Sequence, residues 1–160
     1  MKPTVYIETS IISYLAARPS RDVVVAGRQA ISQDWWTHQR QRFALRISVL
    51  VEQEIALGDA DAAERRRKLV ADVPSLAISE MAIELAELLV AERVVPTGSE
   101  NDALHIGIAA AQGATYLLTW NFRHINNAEM KADIAKLIES QGFVASQICS
   151  PEELGGKDNE

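Results

Sequence analysis

The sequence has 160 residues, 48% of them hydrophobic and 24% charged, with a net charge of −6; that is enough for one domain with its own core and too little for two. A single cysteine, Cys149, excludes an intramolecular disulfide and a cysteine-based zinc site. No apolar run approaches the roughly 18 residues of a membrane span, and one Lys precedes a strand pattern at the start, so neither a membrane span nor a secretory signal is expected and a reducing cytoplasm is the expected setting. The charge is uneven: residues 1–70 hold 11 Lys/Arg against 8 Asp/Glu, or +3, and residues 71–160 hold 5 against 14, or −9. This balance argues against a simple cationic nucleic-acid binder, although bound divalent cations would offset some of the acids.

Along the chain, apolar runs that suit strands alternate with helical spacing. A strand over Thr4–Glu8 precedes helices over Ile11–Ala17 and Arg21–Arg40. A second strand, Phe43–Ser48, precedes helices over Leu50–Leu57 and Asp59–Ala71. Leu76–Ile78 reads as a third strand, followed by helices over Glu80–Glu92 and Asn101–Gln112. Thr115–Leu118, a helix over Glu129–Gln141 and a strand within Val144–Cys149 complete the series. Ser20, Ser79 and Ser99 suit helix starts, and Gly58, Gly113 and Gly142 suit helix ends. Residues 1–150 are thus expected to form one α/β domain with a mostly parallel sheet, and residues 151–160 a frayed tail. No GxGxxG or GxxxxGK[ST] is present, so the common nucleotide-binding signatures are missing.

In an open parallel sheet, ligands bind beyond the carboxyl ends of the strands. Glu8 closes the first strand, Glu54 lies in the helix after the second, Asp102 begins the helix NDALHIGIAAAQG, and Asn121 follows the fourth strand in YLLTWNFRHINN. Carboxylates gathered around a cleft suit Mg²⁺ or Mn²⁺, which keep several waters and bind substrate phosphates. Such ions activate water and stabilise the attacking and leaving oxygens of a phosphodiester displacement. Glu52 competes with Glu54, but residues two apart on a helix point about 200° apart, so only one faces the cleft.

The strings VYIETSIISYL, EIALG, NDALHIGIAAAQGATYLLTWN and FRHINN, in this order, resemble those of PIN domains, and among them the VapC-type toxins of type II toxin–antitoxin pairs. The resemblance covers nearly the whole chain. It implies a Rossmann-like three-layer α/β/α fold and a Mg²⁺- or Mn²⁺-dependent endoribonuclease acting on RNA. It also implies a cognate antitoxin partner and a homodimer. Carried over by position, it makes Glu8, Glu54, Asp102 and Asn121 the metal-holding and catalytic residues. Two positions depart from the pattern: Glu8 stands where Asp is usual, and Asn121 where Asp is frequent. These departures support an alternative, a catalytically weakened PIN-like scaffold that binds RNA or protein. A phosphoacceptor receiver-like domain also gathers acids at strand ends, but no lysine closes a late strand here.

For several other residues the functional and the packing readings stand side by side. Asp102 also favours the positive end of its helix. His105, one turn on, serves either the acids or the core, and Asn121 and Thr119 either the site or a turn. His124 either meets phosphate or decorates its loop. Trp35-Trp36 with Arg40 and Arg42 reads as core packing or as a base-stacking surface. Arg65-Arg66-Arg67-Lys68 reads as a solvated helix face, and Arg18 and Arg21 are phosphate candidates.

Overall fold

The structure, a computed structural model, describes residues 1–156. Thr4–Ile7 form β1, whose last three residues are wholly buried; burial on both faces explains why this segment is apolar throughout rather than alternating. In chain order there follow α1 (Thr9–Ala16), α2 (Val23–His38), a 3₁₀ turn (Arg40–Arg42), β2 (Ala44–Ser48), α3 (Val49–Ile55) and α4 (Ala60–Leu69). Then come β3 (Ser75–Leu76), α5 (Glu80–Ala91), α6 (Glu100–Ala111), β4 (Tyr116–Leu118), α7 (Lys131–Ser140) and β5 (Gln147–Cys149).

All strand pairs are parallel, in the order β3-β2-β1-β4-β5. The chain winds outward from β1 to β3 and then returns to the other side of β1, so strand order reverses between β1 and β4. A crevice opens beyond the carboxyl ends of two such strands. Helices α1 to α4 pack together as one layer and α5 to α7 as the other, giving the expected three-layer α/β/α fold. Within the second layer α5 and α6 approach closely because Gly107 lacks a side chain: a Cβ there would sit 2.4 Å from the carbonyl oxygen of Ala82. That contact sets the position of α6 and of the polar residues on its first turns.

The sequence pattern places every strand and α-helix within a few residues but not the 3₁₀ turn, with three further differences of substance. β5 begins at Gln147 rather than Val144, since pairing to β4 starts at Tyr116–Gln147. Asp22, not Ser20, caps α2, accepting from the Val25 backbone. Finally, the tail expected to fray from Pro151 is docked as far as the structure describes it. Pro151 and Leu154 are buried, and Trp35 Nε1 donates to the Leu154 carbonyl at 3.0 Å; residues 157–160 lie outside the described residues.

Trp35 is a core residue stacked on Phe43, and Arg40 lies over Trp36, which favours packing over base stacking for this pair. The basic run on α4 is more than a solvated face. Arg65 donates to the last carbonyl of α1, at Ala16, and Arg66 to those of Ile55 and Leu57. Both satisfy carbonyls that helix ends leave without partners. Among the described residues no helix is long and apolar enough to cross a membrane.

Candidate active site

Glu8 stands where β1 gives way to α1. Its backbone N–H continues the sheet by donating to Leu118 at the end of β4, and its side chain caps α1 by accepting from the Ser10 backbone at 3.1 Å. The other carboxylate oxygen takes the hydroxyls of Ser10 at 2.5 Å and Thr119 at 2.6 Å. With 6% exposure this acid is not a solvated strand end. The Glu8 carboxylate folds back onto the helix start, so Glu8 is both cap and candidate ligand.

Glu54, in the last turn of α3, turns toward Glu8, whereas Glu52 is exposed to solvent. Its Oε1 accepts from Thr9 Oγ1 at 2.6 Å and lies 2.6 Å from Nε2 of His105. Burial pushes the Glu54 carboxyl up. Hydrogen bonds from His105, Thr9 and Asn101, together with the charge of His105, outweigh burial and hold it below the ordinary carboxylate value. An ionised carboxylate only accepts, so Nε2 of His105 carries a proton and donates it in the hydrogen bond to Glu54.

The opposite ring nitrogen, Nδ1, lies 2.7 Å from the Tyr6 hydroxyl, which also lies 2.8 Å from Ser48 Oγ. Burial, reinforced by the charges of Glu8 and Glu54 and opposed by the Ser48 hydrogen bond, raises the Tyr6 phenol, which therefore keeps its proton. A hydrogen-bonded line thus runs from Ser48 at the end of β2 through Tyr6 and the buried His105 to Glu54.

Asp102, in the first turn of α6, anchors the second half of the site. Asn121 Nδ2 donates to its Oδ1 at 3.0 Å, and Nδ1 of His124 lies 3.1 Å from its Oδ2 and 3.1 Å from Ser99 Oγ. The Asn121 carbonyl oxygen accepts the His124 backbone N–H at 3.0 Å. Because that backbone group only donates, the amide orientation is settled, and Asn121 presents its donor to Asp102. Thr119 joins the halves, donating to Glu8 while accepting the Asn121 N–H at 2.9 Å.

Ligand atoms of Glu8, Glu54 and His105 all lie within 4.8 Å of one another, and Asp102 is not part of this group; Asp102 and Asn121 are linked to it indirectly, through the Asn121–Thr119–Glu8 hydrogen bonds. Both ring nitrogens of His105 are spent, on Tyr6 and Glu54, which leaves the carboxylate oxygens to face a cation. Hard oxygen donors of this kind fit Mg²⁺ or Mn²⁺. The lone Cys149 is no rival nucleophile, since burial pushes its thiol up to about 12.

Tyr6, Thr9 and Ser10 carry the site and were not singled out by the sequence. A signal existed for Tyr6, which lies two residues before Glu8 and so on the same side of the strand. His105 had a signal too, one helical turn after Asp102. Of the two readings open for it, both describe the residue: it is buried, and it holds Glu54.

Neither a family profile nor a curated protein sequence matches the chain. Solved structures match in fold. VapBC-1 from nontypeable Haemophilus influenzae aligns with TM-score 0.56 at 17% identity, over 93% of this chain and 98% of that one. VapC20 of Mycobacterium tuberculosis, a sarcin–ricin loop cleaving toxin, aligns with TM-score 0.55 at 17% identity, over 88% and 96%. VapBC2 from Rickettsia felis, bound to a promoter DNA fragment, aligns with TM-score 0.52 at 12% identity, over 92% and 98%. The chain therefore has the fold of the VapC-type PIN-domain toxins.

Proposed function

We propose that this protein is a VapC-type PIN-domain endoribonuclease that depends on Mg²⁺ or Mn²⁺ and is the toxin of a toxin–antitoxin pair. The observation that carries the reading is the meeting of Glu8 and Glu54 at the β1/β4 switch point, with Asp102 joined to them through Asn121 and Thr119. Glu8, Glu54 and Asp102 would hold the cation, which supplies Lewis acidity and lowers the pKa of water for attack on a phosphodiester. His105 fixes the rotamer of Glu54 and Thr119 that of Glu8. Asn121, a candidate oxygen ligand or water-positioning residue by its place in the sequence, turns its amide donor to Asp102, and on this reading it positions that acid. The antitoxin partner is supported by the toxin–antitoxin complexes among the structures of like fold.

Asp102→Asn tests the reading. The variant should fold normally and lower metal-dependent RNA cleavage by on the order of 100-fold or more. Full cleavage by that variant, purified free of host nuclease, would sink the assignment.

A further inference from the structure

An arginine that no carboxylate answers among the described residues is linked to the acids through Trp120 and Ser10. Arg28, on α2, is half-buried, and its Nη1 donates to the Tyr14 hydroxyl at 3.2 Å. Its guanidinium carbon lies 5.5 Å from the ring centre of Trp120 and 5.3 Å from that of Phe122. Among the described residues no carboxylate comes within ion-pair distance of it. Aromatic faces stabilise the cation without using its N–H groups, so donors remain for a ligand.

The rings are fixed to the site. Trp120 donates its backbone N–H to Ser10 Oγ at 2.9 Å, and Ser10 in turn donates to Glu8. Its indole donates to Ser32 Oγ at 2.7 Å, one turn along α2 from Arg28. Phe122 packs edge-on against Trp120 and remains 43% exposed. It follows directly after Asn121, which holds Asp102.

We propose that Phe122 and Arg28 form a gripping subsite for single-stranded RNA beside the acidic edge, Phe122 stacking one base and Arg28 contacting an adjacent phosphate. This rests on the ribonuclease reading and says how the substrate is held. An unstacked base offers a π face to an exposed ring, whereas an A-form duplex keeps its bases stacked inside. A phosphate beside several carboxylates needs a fixed positive charge, and Arg28 is already held in place with little left to order on binding.

The test measures binding of a fluorescein-labelled oligouridylate in EDTA by anisotropy across salt concentrations, and cleavage of the same RNA in Mn²⁺. Phe122→Ala should weaken binding about tenfold without changing the salt dependence, and Phe122→Trp should restore it. Arg28→Ala should weaken binding about tenfold and lower the slope of log affinity against log salt by about 0.7. Arg28→Lys, which keeps the charge, should keep the slope and provides the check if the alanine variant folds poorly. In cleavage, the alanine variants should raise KM far more than they lower kcat. Wild-type affinity in both alanine variants, or equal binding of duplex RNA, overturns the subsite even where the wild type cleaves RNA. A wild type that neither binds nor cleaves RNA overturns the subsite together with the ribonuclease reading.

Discussion

The two halves of the acidic edge are built differently. Glu8 and His105 are buried and take their hydrogen bonds from secondary structure or its immediate ends, at Tyr6, Ser10 and Thr119. Asp102 and His124 keep about a quarter of their side-chain surface in solvent, at 24% and 26%, and rely on the loop after β4. In the first half, folding itself sets carboxylate geometry, because moving Glu54, itself 23% exposed, means breaking its bonds to Thr9 and to the buried His105 that Tyr6 holds. Buried polar groups left without partners cost about 1–3 kcal/mol each, so that half resists change. The second half is adjustable, and its amide donor replaces what would be a second carboxylate facing Asp102.

The contrast breaks most sharply at His105. His105→Ala should strip Tyr6 and Glu54 of their partner, lower unfolding stability by about 2 kcal/mol, and cut kcat for RNA cleavage on the order of 100-fold through a loosened Glu54. Urea melts and single-turnover kinetics measure the two effects. Equal activity with equal stability would show that the buried half does not depend on its imidazole.

A smaller effect is expected at Asn121. Asn121→Asp places like charge against Asp102, so without metal the protein should lose about 1 kcal/mol. Mn²⁺ affinity, by calorimetry, should rise about tenfold as a negative ligand is added. Unchanged affinity would mean that a carboxylate at position 121 does not reach the cation.

The smallest effect is a pH dependence. Since the folded Glu54 carboxyl lies below its ordinary 4.5, the stability it contributes is fully present above that value and is lost as pH falls through the folded value. Glu54→Gln should thus be less stable than wild type near neutrality, and the difference should shrink as acid is added. A constant difference across the acid range would contradict the part assigned to His105 and Thr9.

What the sequence made legible follows from periodicity and topology. Apolar spacing located the strands, and a parallel sheet places Glu8, Glu54, Asp102 and Asn121 beyond their carboxyl ends wherever the register falls. Partners that depend on that register were not legible. Tyr6 meets His105 across 99 residues, and Arg28 meets Trp120 only because the loop after β4 docks on α2. Leu154 looked like part of a polar tail, yet its carbonyl receives the buried Trp35 indole. In each case, pairing between distant residues decided the outcome; local pattern could mark a single partner, as at Tyr6 and His105, but not the pairing.

The central claim is that the C-terminal edge of the sheet, at β1 and β4, holds a divalent cation for phosphodiester cleavage. A crystal soaked in Mn²⁺ and measured for anomalous scattering tests it most directly. The account predicts a peak about 2 Å from carboxylate oxygens of Glu8 and Glu54, on the side facing Asp102. No peak at that edge at millimolar Mn²⁺, or one bound only elsewhere, would contradict it.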